Sequence, residues 1–268
     1  MRSFHILILI AILFTSHLCE ARPDTTYFDS KWKKTEFDYA DYYRITNLQE
    51  DHLYKVSDYY MKNSKLQMSG YYSNIDSGIR EGTFVFYDVK GNIDNEGSFK
   101  NNKRVGEWKF YYPESKDLWY VEHFEDDELS GELISYYRSG KIKRREIHKI
   151  NDTTVTGNCF EENGESRPFT PFMILPKRTF DLNKFLAKNL VYPREAQRKN
   201  IEGRVIIDFV VQTDGTLDDY KLVKSVYPAL DYEALRVIAK MPKWIPAIVD
   251  DKVAKTRITQ PTLFQLID

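Results

Sequence analysis

The sequence predicts a β-rich repeat sheet in its first half and a smaller α+β two-layer domain at its C-terminus. Three observations support this architecture. A pattern of glycines and aromatic residues recurs between Gly82 and Tyr136, and residues 151–178 are rich in Pro, Gly and Asn. From Asp181 onwards, helical and strand-like patterns alternate. A chain of 268 residues is long enough for two such domains.

The composition indicates a folded chain without a nucleic-acid partner. Hydrophobic residues make up 42% of the sequence, enough for packed cores, and the 19 Tyr and 16 Phe favour strands. Lys and Arg together number 39 against 40 Asp and Glu, so the formal net charge is −1. Binding to a phosphate backbone requires a concentrated positive face, and the sequence has no basic block.

The N-terminus has the pattern of a secretory signal peptide. Arg2 precedes an apolar run from Ile6 to Phe14, and the small residue Ala21 predicts cleavage after residue 21. Two alternatives are an uncleaved membrane anchor and a lipid attached to Cys19. The apolar run is about half of the ~20 residues that a spanning helix needs.

Two segments of the first half share one spacing of aromatic residues and glycine. In each, a glycine follows a phenylalanine by seven residues, and a tyrosine follows that glycine by five. The two copies are Phe99, Gly106 and Tyr111, then Phe124, Gly131 and Tyr136. Gly82 and Tyr87 mark an earlier partial copy, and the three glycines lie 24 and 25 residues apart, a spacing typical of repeat architectures.

Each copy is predicted to form a β-hairpin. Trp108 and Phe110 fall on one face of a strand and Glu107 and Lys109 on the other. Asn, Asp and Gly between the strands suit turns. A single hairpin cannot bury its aromatic face, so we expect neighbouring hairpins to form one extended sheet over residues 22–150.

This repeat resembles the MORN-repeat family in a divergent form. The resemblance covers about Tyr39 to Ile150, and in the last copy Glu132 and Ile134 depart from the motif. It implies a scaffold or an interaction surface. The residues that carry it are Gly97, Phe99, Asn102, Lys103, Gly106, Trp108, Tyr111, Phe124, Gly131, Tyr136, Gly140 and Lys141.

Residues 151–178 are predicted to be the end of the repeats followed by a linker of about 20 residues. Pro168, Pro171 and Pro176 interrupt both helix and sheet.

The C-terminal region begins with two short helices. Asp181 is a suitable N-cap, and Leu182, Phe185 and Leu186 follow at the spacing of one helical face. Pro193 then suits the first turn of a second helix.

The remaining pattern predicts a hairpin, a helix and a final strand. After Gly203, apolar residues occupy every second position from Val205 to Val211, as on one face of a strand. Asp214-Gly215 is typical of a hairpin turn. A helix is expected from an N-cap at Asp231 to Pro242, and a strand from Thr256. The predicted buried face of the helix comprises Leu230, Ala234, Ile238 and Met241.

The order and spacing of these residues resemble the C-terminal domain of the TonB family over Thr179 to Asp268. The residues that carry it are Tyr192, Pro193, Ala196, Gly203, Val205, Asp214, Gly215, Leu230 to Leu235, Pro242 to Ala247, Pro261 and Phe264. The resemblance implies a three-stranded antiparallel sheet with two helices. It also implies a periplasmic domain that binds an N-terminal segment of an outer-membrane transporter by adding it as a strand.

Carried over by position, the resemblance places the binding edge at Thr256 to Ile267, with Asn189 to Val191 as a neighbouring contact. The candidate partner-binding residues are Asn189, Leu190, Val191, Thr256, Arg257, Ile258, Thr259, Gln260, Thr262, Leu263, Phe264 and Gln265.

Catalytic, cofactor and metal-binding patterns are not found. His52, His123 and His148 lack the spacing of metal ligands, and the acidic run Glu125 to Glu128 lacks that of a calcium loop. Cys159 is interpreted as a loop thiol without a disulfide partner, and Trp244 as a buried anchor. We expect no enzyme, no cofactor and no metal.

Three functions remain open. The first is a non-enzymatic protein of the periplasm or cell envelope that docks a peptide of an outer-membrane TonB-dependent transporter, or of another envelope protein. The second is a TonB-type energy transducer anchored in the membrane by its N-terminal segment. The third is an antitoxin-like repeat scaffold. The predicted domains are residues 1–21 (signal peptide), 22–150 (MORN-like repeats), 151–178 (linker) and 179–268 (TonB-like domain).

Overall fold

The computed structural model describes residues 24–266. The predictions for the signal peptide, for Ile6 to Phe14 and for Cys19 therefore lie outside the described residues. The chain divides into two compact units. The first extends to Ile93 and includes Phe99–Asn102, and the second comprises Asp94–Ser98 and the chain from Lys103 onwards.

The first unit is a succession of antiparallel strands, each paired with the next in the chain. The strands are β1 (Asp24–Phe28), β2 (Tyr42–Leu48), β3 (Tyr54–Tyr60), β4 (Leu66–Asn74) and β5 (Ile79–Tyr87), with a 3-10 helix at Phe37–Tyr39. The next strand, β6 (Ile93–Lys100), contributes residues to both units.

Close packing of rings on glycine holds this first unit together. Phe84 is fully buried, and a Cβ on Gly70 would lie 2.3 Å from its ring. The Phe84 and Phe99 rings meet edge-on with centroids 5.0 Å apart. The Arg80 guanidinium lies over the Phe99 ring, 3.7 Å from its centroid, and the face of an aromatic ring attracts a cation in this position.

The second unit begins with further strands of the same kind. They are β7 (Lys103–Tyr111), β8 (Leu118–Glu125), β9 (Glu128–Leu129), β10 (Gly131–Tyr136), β11 (Ile142–His148), β12 (Thr156–Phe160) and β13 (Ser166–Arg167). Antiparallel pairing follows chain order, with β9 pairing β8 beside the β8–β10 ladder.

The contacts of the first unit recur in the second. Trp108 lies over Gly97, where a Cβ would come within 2.1 Å of the indole, and Arg104 stacks 3.8 Å from the Phe124 centroid. Gly106 has a φ of 65°, in the left-handed region where glycine carries no steric cost. The hairpins agree with the predicted repeat, whereas the MORN assignment remains a prediction. The stacked arginines were not anticipated.

The C-terminal part contains a three-stranded antiparallel sheet in the order β17–β16–β21. Its elements are α1 (Leu182–Asn189), α2 (Arg194–Arg198), β16 (Gly203–Val211), β17 (Leu217–Lys224), α3 (Pro228–Ile238) and β21 (Thr256–Phe264). The three-stranded sheet agrees with the expectation. The resemblance implies two helices, but the structure contains three, because the extended Leu190–Tyr192 segment separates α1 from α2.

Helix ends were predicted with mixed success. The Asp181 carboxylate caps α1 by accepting from the Lys184 N–H at 3.1 Å, as predicted. The expected N-cap of α3 at Asp231 is wrong, because Tyr227 holds that position and the helix starts at Pro228. Pro228 has no N–H to lose in a first turn, and Asp231 instead accepts from the Val226 N–H at 3.0 Å.

The segment predicted as a linker is structured. Besides β12 and β13 it contains β14 (Met173–Ile174) and β15 (Lys177–Arg178). These pair with strands from far along the chain, β14 with β19 (Ala247–Val249) and β15 with β18 (Trp244–Ile245), while β19 also pairs with β20 (Lys252–Ala254). The three prolines fall between the strands and shorten them without abolishing them. Cys159, expected in a loop, is buried on β12.

Candidate partner-binding site

The candidate site is the outer edge of β21. This strand pairs with β16 from Gly203 opposite Phe264 to Val211 opposite Thr256. Within residues 24–266, no strand pairs with its other side. An unpaired edge presents a row of backbone donors and acceptors on which another chain can build a strand.

Pro261 determines which backbone groups face outwards. A proline within a sheet occupies an edge strand with its nitrogen turned away from the ladder. Since backbone groups alternate in direction along a strand, the N–H groups of Arg257, Thr259 and Leu263 share the outward side with Pro261. Those of Gln260 and Thr262 face β16.

Side chains along β21 alternate between core and solvent. Gln260, Thr262 and Phe264 are buried, Thr256 and Ile258 are half-buried, and Leu263 is 54% exposed. Gln265 follows the strand and is exposed. The predicted residues of the last strand therefore lie on two opposite faces of the strand, one turned to the core and one to solvent.

Two exposed side chains of β21 are fixed by carboxylates of the same sheet. Thr259 Oγ1 donates to Asp208 Oδ1 at 2.6 Å, and the Arg257 guanidinium is paired with Asp219. The hydrogen bond from Arg257 lowers the pKa of Asp219. These contacts leave the backbone edge free, because they involve side chains on the open face of the sheet.

The second predicted element, Asn189 to Val191, is held by α3. The Val191 N–H donates to Glu233 Oε1 at 2.6 Å, and the Arg236 guanidinium donates to the Asn189 carbonyl at 2.7 Å. The Leu190 N–H donates to the Leu186 carbonyl at 2.8 Å. Burial opposes ionisation of Glu233, but hydrogen bonds from Arg236 and Val191 outweigh it and lower its pKa.

These bonds limit what the segment offers a partner. The Val191 and Leu190 N–H groups and the Asn189 carbonyl already have partners. The Val191 side chain is 63% exposed, and Leu190 packs against the domain core. The neighbouring Tyr192 ring contacts the Phe264 ring, with centroids 5.7 Å apart, so the segment lies close to the end of β21.

A cleft of about 500 Å³ borders the first half of β21, a size within the range of ligand pockets. Trp244 lines it and is buried against Phe209, with ring centroids 5.6 Å apart, in agreement with its predicted role as an anchor. Sequence reasoning missed this cleft, because one wall comes from the segment interpreted as a linker. Its lining residues are Pro176, Lys177, Arg178, Phe180, Trp244, Ile258, Thr259 and Gln260.

No group of three or more His, Cys, Asp or Glu side chains between residues 24 and 266 is arranged to hold a metal ion. No helix in the same range is long and apolar enough to cross a membrane.

Known proteins resemble the C-terminal part of the chain. Residues 188–266 match the family described as Gram-negative bacterial TonB protein C-terminal. The chain is 34% identical over 77 residues to Protein TonB of Pseudomonas aeruginosa. These 77 residues are 28% of this chain and 22% of that protein. A solution NMR structure of the Helicobacter pylori TonB C-terminal domain shares 25% identity, covering 32% of this chain and 78% of that one, with a TM-score of 0.26.

The matched residues include the outer edge of β21, the Asn189 to Val191 segment and α3. The family match and the curated relative therefore support a TonB C-terminal domain within residues 188–266.

Proposed function

We propose that this is a non-enzymatic protein of the cell envelope whose C-terminal domain docks an extended peptide of a partner by adding it as a strand to β21. The observation that carries the proposal is the unpaired edge of β21, with one side on β16 and the other without a strand in the described residues. Main-chain hydrogen bonds provide the affinity in this mode of recognition, and alternating side chains provide the specificity.

The proposed partner is an outer-membrane TonB-dependent transporter, and the proposed location is the periplasm. Support comes from the family match, since residues 188–266 contain the whole of β21. The cleft beside Ile258 and Gln260 leaves room for side chains of an added strand.

A pull-down from envelope extract tests this proposal. Tagged full-length chain is expected to retain an outer-membrane transporter, and Thr259→Pro is expected to retain markedly less. Thr259→Ala is the matched control, because it removes the hydroxyl and keeps the backbone N–H. Recovery of no transporter by the unmodified chain would overturn the proposed partner.

The second candidate is a membrane-anchored energy transducer, favoured by the similarity to Protein TonB. It differs from the first in requiring that the N-terminal segment stays attached. N-terminal sequencing of the exported protein separates them: a start at Arg22 excludes the transducer, and an intact Met1 supports it.

A further inference from the structure

The turn between β19 and β20 enters a basic socket made by the last repeats. Two residues form it, Asp250 and Asp251, with φ values of 48° and 65°. Positive φ at both positions is the geometry of the tight hairpin turns that favour Asp, Asn and Gly. Three cations surround the turn: Lys143 and Arg144 on β11 and Arg167 on β13.

Asp250 is enclosed on every side. Its carboxylate accepts from Arg144 Nη1 at 2.9 Å and from Trp119 Nε1 at 3.0 Å, and it forms an ion pair with Lys143 Nζ at 3.0 Å. Its backbone takes part as well, since its N–H donates to the Phe172 carbonyl at 2.7 Å and its carbonyl accepts from Lys143 Nζ at 3.0 Å.

Asp251 completes the socket. It accepts from Arg144 Nη2 and from Arg167 Nη2, both at 2.6 Å, and from Thr170 Oγ1 at 3.1 Å. Burial opposes ionisation of Asp251, but Arg144 and Lys143 outweigh it and lower its pKa.

The two carboxylates of the turn face three cations, and the carboxylate of Glu146 lies 3.7 Å from Arg144. Most of these charged groups are removed from water. Arg144 is 0% exposed and Asp250 2%. A buried charge without its partner is strongly unfavourable, so withdrawal of the turn would leave Arg144 to be solvated or reorganised. The socket therefore resists separation of the hairpin from β11.

The same hairpin is continuous with the sheet of the C-terminal domain. Only Lys255 lies between the end of β20 at Ala254 and the start of β21 at Thr256. On the other side, β18 carries Trp244 into the domain core. Any movement of β21 away from the repeats would act on the Asp250–Asp251 turn through this short path.

We propose that the Asp250–Asp251 socket locks the C-terminal domain to the last repeats, so that β11 and the β17–β16–β21 sheet open as one cooperative unit. In this arrangement the cations of β11 and β13 hold the C-terminal domain in place through the Asp250–Asp251 turn. The inference goes beyond the docking of a peptide at β21 and holds whatever that edge binds.

Native-state hydrogen exchange of the full chain in increasing urea tests the lock. Amides that open in one cooperative unit share a single opening free energy and a single denaturant dependence. In the unmodified chain, we expect the slowest-exchanging amides of β11 and those of β16 to have the same opening free energy and the same denaturant dependence. In the double variant Asp250→Asn with Asp251→Asn, the β11 amides should exchange at least tenfold faster than those of β16.

Asp219→Asn is the control, because it removes an ion pair of the same domain outside the socket. In this variant the amides of β11 and those of β16 should still share one opening free energy. Separate openings in the unmodified chain would overturn the proposal, as would coincident openings in the double variant. If the double variant does not fold, Asp251→Asn replaces it, since that carboxylate is one third exposed, and the same separation is required.

Discussion

The ring of Tyr192 stands edge-on to the ring of Phe264, with centroids 5.7 Å apart and planes at 83°. The Tyr192 hydroxyl donates to the Ile201 carbonyl at 2.7 Å. One side chain therefore ties the Tyr-Pro step to the last residue of β21 and to the loop before β16. Edge-to-face ring pairs of this kind add stability beyond the area that they bury.

Substitutions at Tyr192 separate the ring contact from the hydroxyl bond. Tyr192→Phe keeps the ring and should lower the free energy of unfolding by about 1 kcal/mol, the usual net value of one hydrogen bond. Tyr192→Ala also removes the ring and should cost about 3 kcal/mol. Urea denaturation measures both, and equal losses would show that the ring contact contributes nothing.

Proline scanning of β21 tests the inferred direction of its backbone groups. Thr259→Pro and Leu263→Pro should weaken peptide docking about tenfold, because each removes an outward N–H. Both should leave the β16 ladder intact. Thr262→Pro removes a ladder bond and should destabilise the domain by about 1–3 kcal/mol, the cost of leaving a buried backbone acceptor without its donor. Docking that is unchanged by both outward substitutions would mean that β21 is not the binding edge.

The pH dependence of stability should reflect Glu122 on β8. Burial, opposed by Arg104 and His148, raises the pKa of its carboxyl from 4.5 to about 7. The folded state thus binds more protons than the unfolded state between these values, and stability falls as pH rises through that window. Because Glu122 is only half-buried by exposed area, we expect a loss of about 2 kcal/mol rather than the full ~3 kcal/mol of the shift.

Glu122→Gln should remove this dependence and exceed the unmodified chain in stability at pH 8. Urea midpoints from pH 4 to pH 8 provide the measurement. Glu107→Gln is the control, because that carboxylate is exposed on the neighbouring strand β7. An unchanged pH profile in Glu122→Gln would contradict the assignment.

Two glycines of the repeat should respond differently to alanine. In Gly97→Ala the new Cβ would come within 2.1 Å of the Trp108 indole, so we expect a loss of about 3 kcal/mol from overpacking. In Gly106→Ala the new Cβ would have no atom within 4 Å, and only the positive φ opposes the change. We expect a loss of about 1 kcal/mol in the free energy of unfolding. Thermal unfolding followed by circular dichroism would show the order, and a larger effect at Gly106 would contradict it.

Elements with a clear period could be predicted from the sequence. Val205, Ile207, Phe209 and Val211 alternate along β16, and all four are buried as the pattern requires. The hairpin at Asp214-Gly215 is also confirmed, with Gly215 at a φ of 83°. Here each residue's environment is set mainly by its neighbours in the chain.

Elements of two or three residues could not be predicted, because they have no period. β14 and β15 exist because β19 and β18 lie beside them, and those partners are more than sixty residues away in the sequence. Lys143 and Arg144 occur in a charged run that is typical of a solvated face. They belong to a buried network only because Asp250 and Asp251, about 107 residues later in the sequence, form ion pairs with them in the folded chain.

The candidate site shows the same division. The alternation of β21 is visible in the sequence, but its position at the outside of the sheet came from the family resemblance and not from any pattern of residues. Glu233 and Arg236, which fix Asn189 to Val191, were missed because their partners are backbone groups more than forty residues earlier.

Pro261 also has a consequence for how copies of this protein behave towards one another. Two copies that met along β21 would have to face a break in the ladder at Pro261, where the edge offers a carbonyl and no hydrogen. A continuous edge-to-edge sheet of identical chains is thereby interrupted near its centre, which is one way in which proteins keep an exposed strand from aggregating. Pairing along β21 therefore falls into two stretches on either side of Pro261, for a second copy and for a docked peptide alike.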